Sequence, residues 1–191
     1  MNENRKNRGN GLIWAIILVV IVAITVTFIV IARSSKYEPG KTESGMYLNS
    51  WADVEIKVPA GLKIYREIKA DNAFAEIYMR SSGTNALMFG FAAYKDSDID
   101  TGMEEMKQVF IQAARVSKNA NISVTDIRYP VIAGKEYKYL PIKISGNGVT
   151  FYIGIYGRKV NRHGSFLIMA GTTESMSALE DLVKQNVSTY K

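Results

Sequence analysis

Residues 11–32 read GLIWAIILVVIVAITVTFIVIA, an apolar run that opens at Gly11, closes at Ala32 and has only Thr25 and Thr27 as polar members. As an α-helix this stretch would extend about 33 Å, enough to cross a hydrocarbon core of about 30 Å with some tilt. A helix that is apolar all round has no solvated side to present, and in lipid its backbone groups satisfy one another, so the run is expected to be a transmembrane helix. It divides the chain into a polar N-terminal tail (1–10), the membrane helix (11–32), a linker (33–45) with Pro39-Gly40 as its turn signal, and one domain (46–191).

The basic start, Arg5, Lys6 and Arg8, would also suit a secretory signal peptide. Such peptides carry about 7–15 apolar residues before a small-x-small cleavage site. Here the run is longer and leaves through Val30-Ile31-Ala32-Arg33-Ser34-Ser35 without that site, so an uncleaved, single-pass signal anchor is expected. The chain has no cysteine to carry a lipid, which makes the helix itself the tether. Arg33, Lys36 and Lys41 match the three cations of the tail in number. The tighter clustering of the tail's cations tips the orientation toward an inside N-terminus and an extracytoplasmic domain, a cytoplasm-facing domain being the alternative.

The chain beyond the helix is long enough for one real core. Setting aside Arg5, Lys6, Arg8 and Arg33 from the 24 basic residues, and Glu3 from the 18 acidic ones, leaves 20 against 17 for the rest. With no basic stripe, nucleic acid is not an expected partner. Absence of cysteine rules out disulfides, thiolate nucleophiles and cysteine zinc sites. Val54, Ile56 and Val58 alternate with Asp53, Glu55 and Lys57 as in a half-covered strand, and Pro59-Ala60-Gly61 closes it. Runs at 74–80 and 86–94 suggest a hairpin around Ser81-Ser82-Gly83-Thr84-Asn85, the second run being buried on both faces. Met103, Met106, Val109, Phe110, Ala113 and Ala114 then take helical spacing, with Thr101 and Glu104 placed as a capping box. Strand patterns return at 122–127, 137–144, 149–158 and 165–171, with Asn147-Gly148 as a tight turn. A last helix over 174–187 offers Met176, Leu179, Leu182 and Val183 to the sheet.

This order predicts an α+β domain, a mainly antiparallel sheet covered by two helices. Tyr47-Leu48-Asn49-Ser50-Trp51, a strand ending Val58-Pro59-Ala60-Gly61-Leu62, and Phe166-Leu167-Ile168-Met169-Ala170-Gly171 running into a C-terminal amphipathic helix resemble the opening and close of PsbP-like domains and related bacterial lipoprotein domains. The likeness covers Met46 to Lys191 and rests on order and spacing. It implies an α/β/α sandwich used for binding or as an accessory to membrane assemblies, with no shared catalytic set. A helical anchor in place of a lipidated cysteine or plastid transit peptide departs from that pattern, so a photosynthetic role does not carry over.

Three groups of residues are candidates for a site. Asp96, Asp98 and Asp100 have the alternate spacing that begins a calcium loop, but Thr101 and Lys107 stand where an EF-hand needs glycine and glutamate, and helix-dipole complementarity explains the acids as well. Arg158, Lys159, Arg162 and the only histidine, His163, concentrate positive charge on a hairpin tip that could attract anionic lipid headgroups or wall polymers, or simply be solvated loop. Tyr137 and Tyr139 share a strand face and would make an aromatic platform for a sugar or peptide if that face is open, or sheet packing if it is not. No G-x-S-x-G, metal-ligand set or cofactor motif is present, so no cofactor is expected. The expectation is a non-catalytic binding or accessory module of the cell membrane that recruits an envelope protein, peptide or polymer; a tethered hydrolase or metal-dependent enzyme is the alternative.

Overall fold

The structure, a computed structural model, describes residues 39–67, 77–81, 88–95, 98–117, 120–161 and 164–191. The expected anchor, Asp96, Arg162, His163 and residues 82–85 of the first predicted hairpin's loop lie outside them. Among the described residues no helix is long and apolar enough to cross a membrane.

Strands β1 (Lys41–Glu43), β2 (Met46–Asn49) and β3 (Val54–Lys57) form an antiparallel meander, joined at its far edge by β13 (Val187–Ser188). The first strand thus lies upstream of Met46, where the fold was expected to begin. The larger sheet has seven strands in the order β4 (Leu62–Glu67), β5 (Ile77–Ser81), β6 (Met88–Lys95), β12 (Gly164–Thr172), β11 (Val149–Asn161), β10 (Lys138–Gly146) and β7 (Asn121–Val124). Its pairings are all antiparallel. A short ribbon, β8 (Val131–Ile132) with β9 (Lys135–Glu136), extends the start of β10, held there by the Arg128–Tyr139 bridge and the bond from Tyr137 N–H to Pro130 O.

Helix α1 (Ile99–Val116) packs on β7, β10 and β11, and helix α2 (Met176–Asn186) on β11, β12 and β13. They cover opposite faces, as the alternation along β11 requires. Phe151, Ile153 and Ile155 meet Ile99, Met103, Met106 and Phe110 of α1. Tyr156 joins Leu179 and Val183 of α2 and the inward residues of the small sheet, Tyr47, Val54 and Ile56. The face opposite α1 is therefore shared between a helix and a second sheet, which the sequence pattern did not separate from the first.

Two glycines on β11 set how closely the helices approach. A Cβ on Gly154 would lie 2.6 Å from Leu179 Cδ2, and one on Gly157 would lie 2.7 Å from Ile99 Cδ1. The cap of α1 is Asp98, not Thr101: the Asp98 carboxylate accepts from the Asp100 N–H at 3.1 Å and from the Thr101 hydroxyl at 3.0 Å. Glu104, the expected reciprocal partner, accepts from Gln108 instead. An aspartate just ahead of the first turn both fills an open N–H and complements the dipole, which outcompetes the later threonine. Ser175 caps α2 through the Ala178 N–H.

Candidate functional site

The start of β10, the end of β11, the start of α1 and the 50–53 turn all meet at one end of the domain. Antiparallel pairing puts them there: β10 leaves this end, β11 returns to it, and β1 against β2 brings Lys41 in opposite Leu48, with Gly40 against the Tyr47 ring. Asn49 is fully buried and closes the turn, donating to Tyr47 Oη at 2.9 Å and accepting from Ala52 N–H at 2.7 Å.

Arg158 joins this turn to the large sheet. It lies on strand β11, not on a hairpin tip, and its Nη2 donates to Ala52 O. The guanidinium stands 5.0 Å from the Phe166 ring centroid and 5.5 Å from that of Tyr137, which places it on an aromatic file running Tyr47, Phe91, Phe166, Tyr137. Planar guanidinium over ring faces is favourable because it adds cation–π attraction to dispersion. Its Nε–H is shielded from water and meets no acceptor among the described residues. Arg158 is thus a strut inside the fold, and the expected free anionic-surface role does not fit it. Lys159 is exposed and lies close enough to Asp98 to act on it.

Asp98 and Asp100, the two candidate aspartates among the described residues, are each engaged elsewhere. Asp98 is spent on the cap, and its carboxyl is held below the usual range by the Asp100 N–H first, then by the Thr101 hydroxyl and the charge of Lys159. Asp100 pairs with Lys138. Among the described residues no three His, Asp or Glu side chains gather as metal ligands.

Tyr137 and Tyr139 are each 2 % exposed, so they form no open platform. Their face is closed by α2 and the small sheet, which the period-two pattern could not reveal. Tyr139 stacks on Tyr156 at 4.4 Å and donates to Met176 Sδ at 2.9 Å. Arg128 lies 5.0 Å above Tyr139 and pairs with Glu180 at 3.2 Å. Burial pushes the phenols of Tyr137, Tyr139 and Tyr156 up.

Among the described residues, the large apolar side chains exposed at this end lie on or just ahead of the ribbon. Lys135 pairs with Asp53 of the turn, while burial and the charge of Arg158 pull its ammonium below the ordinary value. Tyr129 and Val131 are 56 % and 63 % exposed. Lys138 lies over the Tyr129 ring at 5.8 Å. Neither residue is signalled in the sequence: Tyr129-Pro130-Val131 is a short extended stretch, and the turn after it, Ala133-Gly134, lacks the Asn-Gly signature.

No family model and no curated protein sequence matches this chain. Solved structures do. The cyanobacterial PsbP of Synechocystis superposes with a TM-score of 0.50 at 13 % identity, over 84 % of this chain and 99 % of that one. LpqN, involved in cell envelope biogenesis of Mycobacterium tuberculosis, gives 0.46 at 12 % identity, over 72 % and 83 %. The described domain therefore has a PsbP-like α+β fold, two helices packed on antiparallel sheets.

Proposed function

We propose that this chain is a single-pass membrane protein whose PsbP-like domain stands outside the cytoplasm as a non-catalytic binding or accessory module of a cell-envelope assembly. The observation that carries this reading is the coupling of the apolar run at 11–32 to a domain in which Arg128, Lys135 and Lys138, at the end where the chain comes in, are each paired with a carboxylate. Catalysis needs titratable groups left free in a cleft, and pairs such as Lys135 with Asp53 serve the fold instead. Protease shaving of intact cells carrying a C-terminal tag tests the reading. Loss of the tag from intact cells, with the protein in the membrane fraction, is the expected result. A tag that survives until the cells are lysed, or a chain recovered from the aqueous fraction, overturns it.

A further inference from the structure

We infer that Tyr129 and Val131 form a foot that rests on the lipid surface to which the chain is tied. This rests on the membrane-anchored reading above. Among the described residues four large apolar side chains are exposed, Tyr129, Val131, Val149 and Tyr190, and only the first two are close together in the chain, Val131 opening β8 and Tyr129 two residues ahead of it. They alternate with half-buried Pro130 and buried Ile132 along an extended ribbon, so both point away from the core on one side.

Tether length selects a bilayer as the occupant. Only residues 33–38 separate Ala32 from Pro39, a span of about 25 Å from one to the other at full extension. The chain then comes in at Gly40, against the Tyr47 ring whose hydroxyl accepts from Asn49, at the end where the following turn's Asp53 holds Lys135 of the ribbon. The end of the domain that carries Tyr129 and Val131 is thus the end drawn toward the membrane, whereas Val149 stands at the other end of the 13-residue β11. The ribbon also has the right polarity for an interface. Arg128, Lys135 and Lys138 are each paired with a carboxylate; of the ribbon's charges, only Glu136, exposed directly across from Val131, has no ion-pair partner among the described residues, and its carboxylate would have to stay in the hydrated part of the headgroup layer. Tyrosine suits this depth because its ring is apolar and its hydroxyl stays hydrated.

With no native cysteine, single labels are simple to place. The full chain bearing Val131→Cys or Val149→Cys is labelled with an environment-sensitive fluorophore and reconstituted into vesicles of phosphatidylcholine and phosphatidylglycerol. The expected result is that the label at 131 shifts to the blue, is quenched by doxyl-labelled lipid and loses most of its quenching by aqueous iodide, while the label at 149 stays open to iodide. If the chain floats with the vesicles but both labels are equally open to iodide, the foot is overturned and the anchor stands. Protection at 131 without lipid quenching identifies a protein occupant and also overturns it. A chain that fails to float with the vesicles overturns the foot together with the anchor.

Discussion

Gly154→Ala is the sharpest test of how α2 is seated. The new methyl would lie 2.6 Å from Leu179 Cδ2 and 2.9 Å from both Tyr139 Cε2 and Tyr156 Cε2, all on buried side chains. Overpacking of this kind costs about 1–3 kcal/mol, and three contacts under 3 Å in a closed layer put it in the upper half of that range. Alanine recovers about 0.5–1 kcal/mol relative to glycine inside a strand. The net loss is about 1–2.5 kcal/mol, or a fall in Tm of about 2–10 °C for a domain of this size. Leu179→Ala alone should cost about 2–5 kcal/mol, since Leu179 is fully buried. Combining the two removes the nearest clash, so the double variant should be about 1 kcal/mol more stable than the sum of the singles. Urea unfolding of the full chain in detergent micelles, followed by near-ultraviolet circular dichroism, reads all four corners of the cycle. Additivity within about 0.3 kcal/mol would show that Gly154 does not seat the helix, and the reasoning would be refuted.

Three further outcomes are expected from the same unfolding assay. Asp98→Ala should lower stability by about 1 kcal/mol through loss of the α1 cap, and Thr101→Ala by clearly less; the reverse ranking would restore the capping box read from the sequence. Ala133 holds φ +50° ahead of Gly134 at +76°, the pair of positive angles that Asn147 and Gly148 adopt at 51° and 78°, so Ala133→Asn should stabilise by about 0.5–1 kcal/mol, and a loss would show that the alanine is not strained. Burial raises the phenols of Tyr47, Tyr137, Tyr139 and Tyr156 above the ordinary value of 10.0. The unfolded chain then ionises first, so their contribution is whole below about pH 10 and is lost as pH climbs past it; an unfolding midpoint that stays level between about pH 9 and about pH 11 would contradict this.

Much of the large sheet was legible because each strand obeys a local rule. The runs at 137–144, 149–158 and 165–171 alternate or stay apolar, and the structure extends them into β10, β11 and β12. Both helices were legible for the same reason, since Met103, Met106 and Phe110 on one, and Leu179 and Val183 on the other, recur at the spacing that buries a stripe. Short strands were not. Lys41–Glu43 and Val187–Ser188 have too few residues to show a period, and they exist as strands because a neighbour supplies the other half of each hydrogen-bonded pair. The candidate sites fared worst. Arg158 and Tyr137 looked like surface chemistry in one dimension, yet in the fold the cation lies over the phenol ring.

By itself the sequence determined what each stretch could bury: a run with no polar side at 11–32, strands with one apolar face, helices with one apolar stripe. These are properties of spacing, and spacing is local. Only the tertiary structure decided which of those faces was left for water. Closing one face of the large sheet with α2 and a second small sheet sealed Tyr137 and Tyr139, while the β8–β9 ribbon and the residues just ahead of it reached past that cover and left Tyr129 and Val131 outside it. Exposure is the outcome of what packs on what, and for these residues the covering atoms come from elements far along the chain.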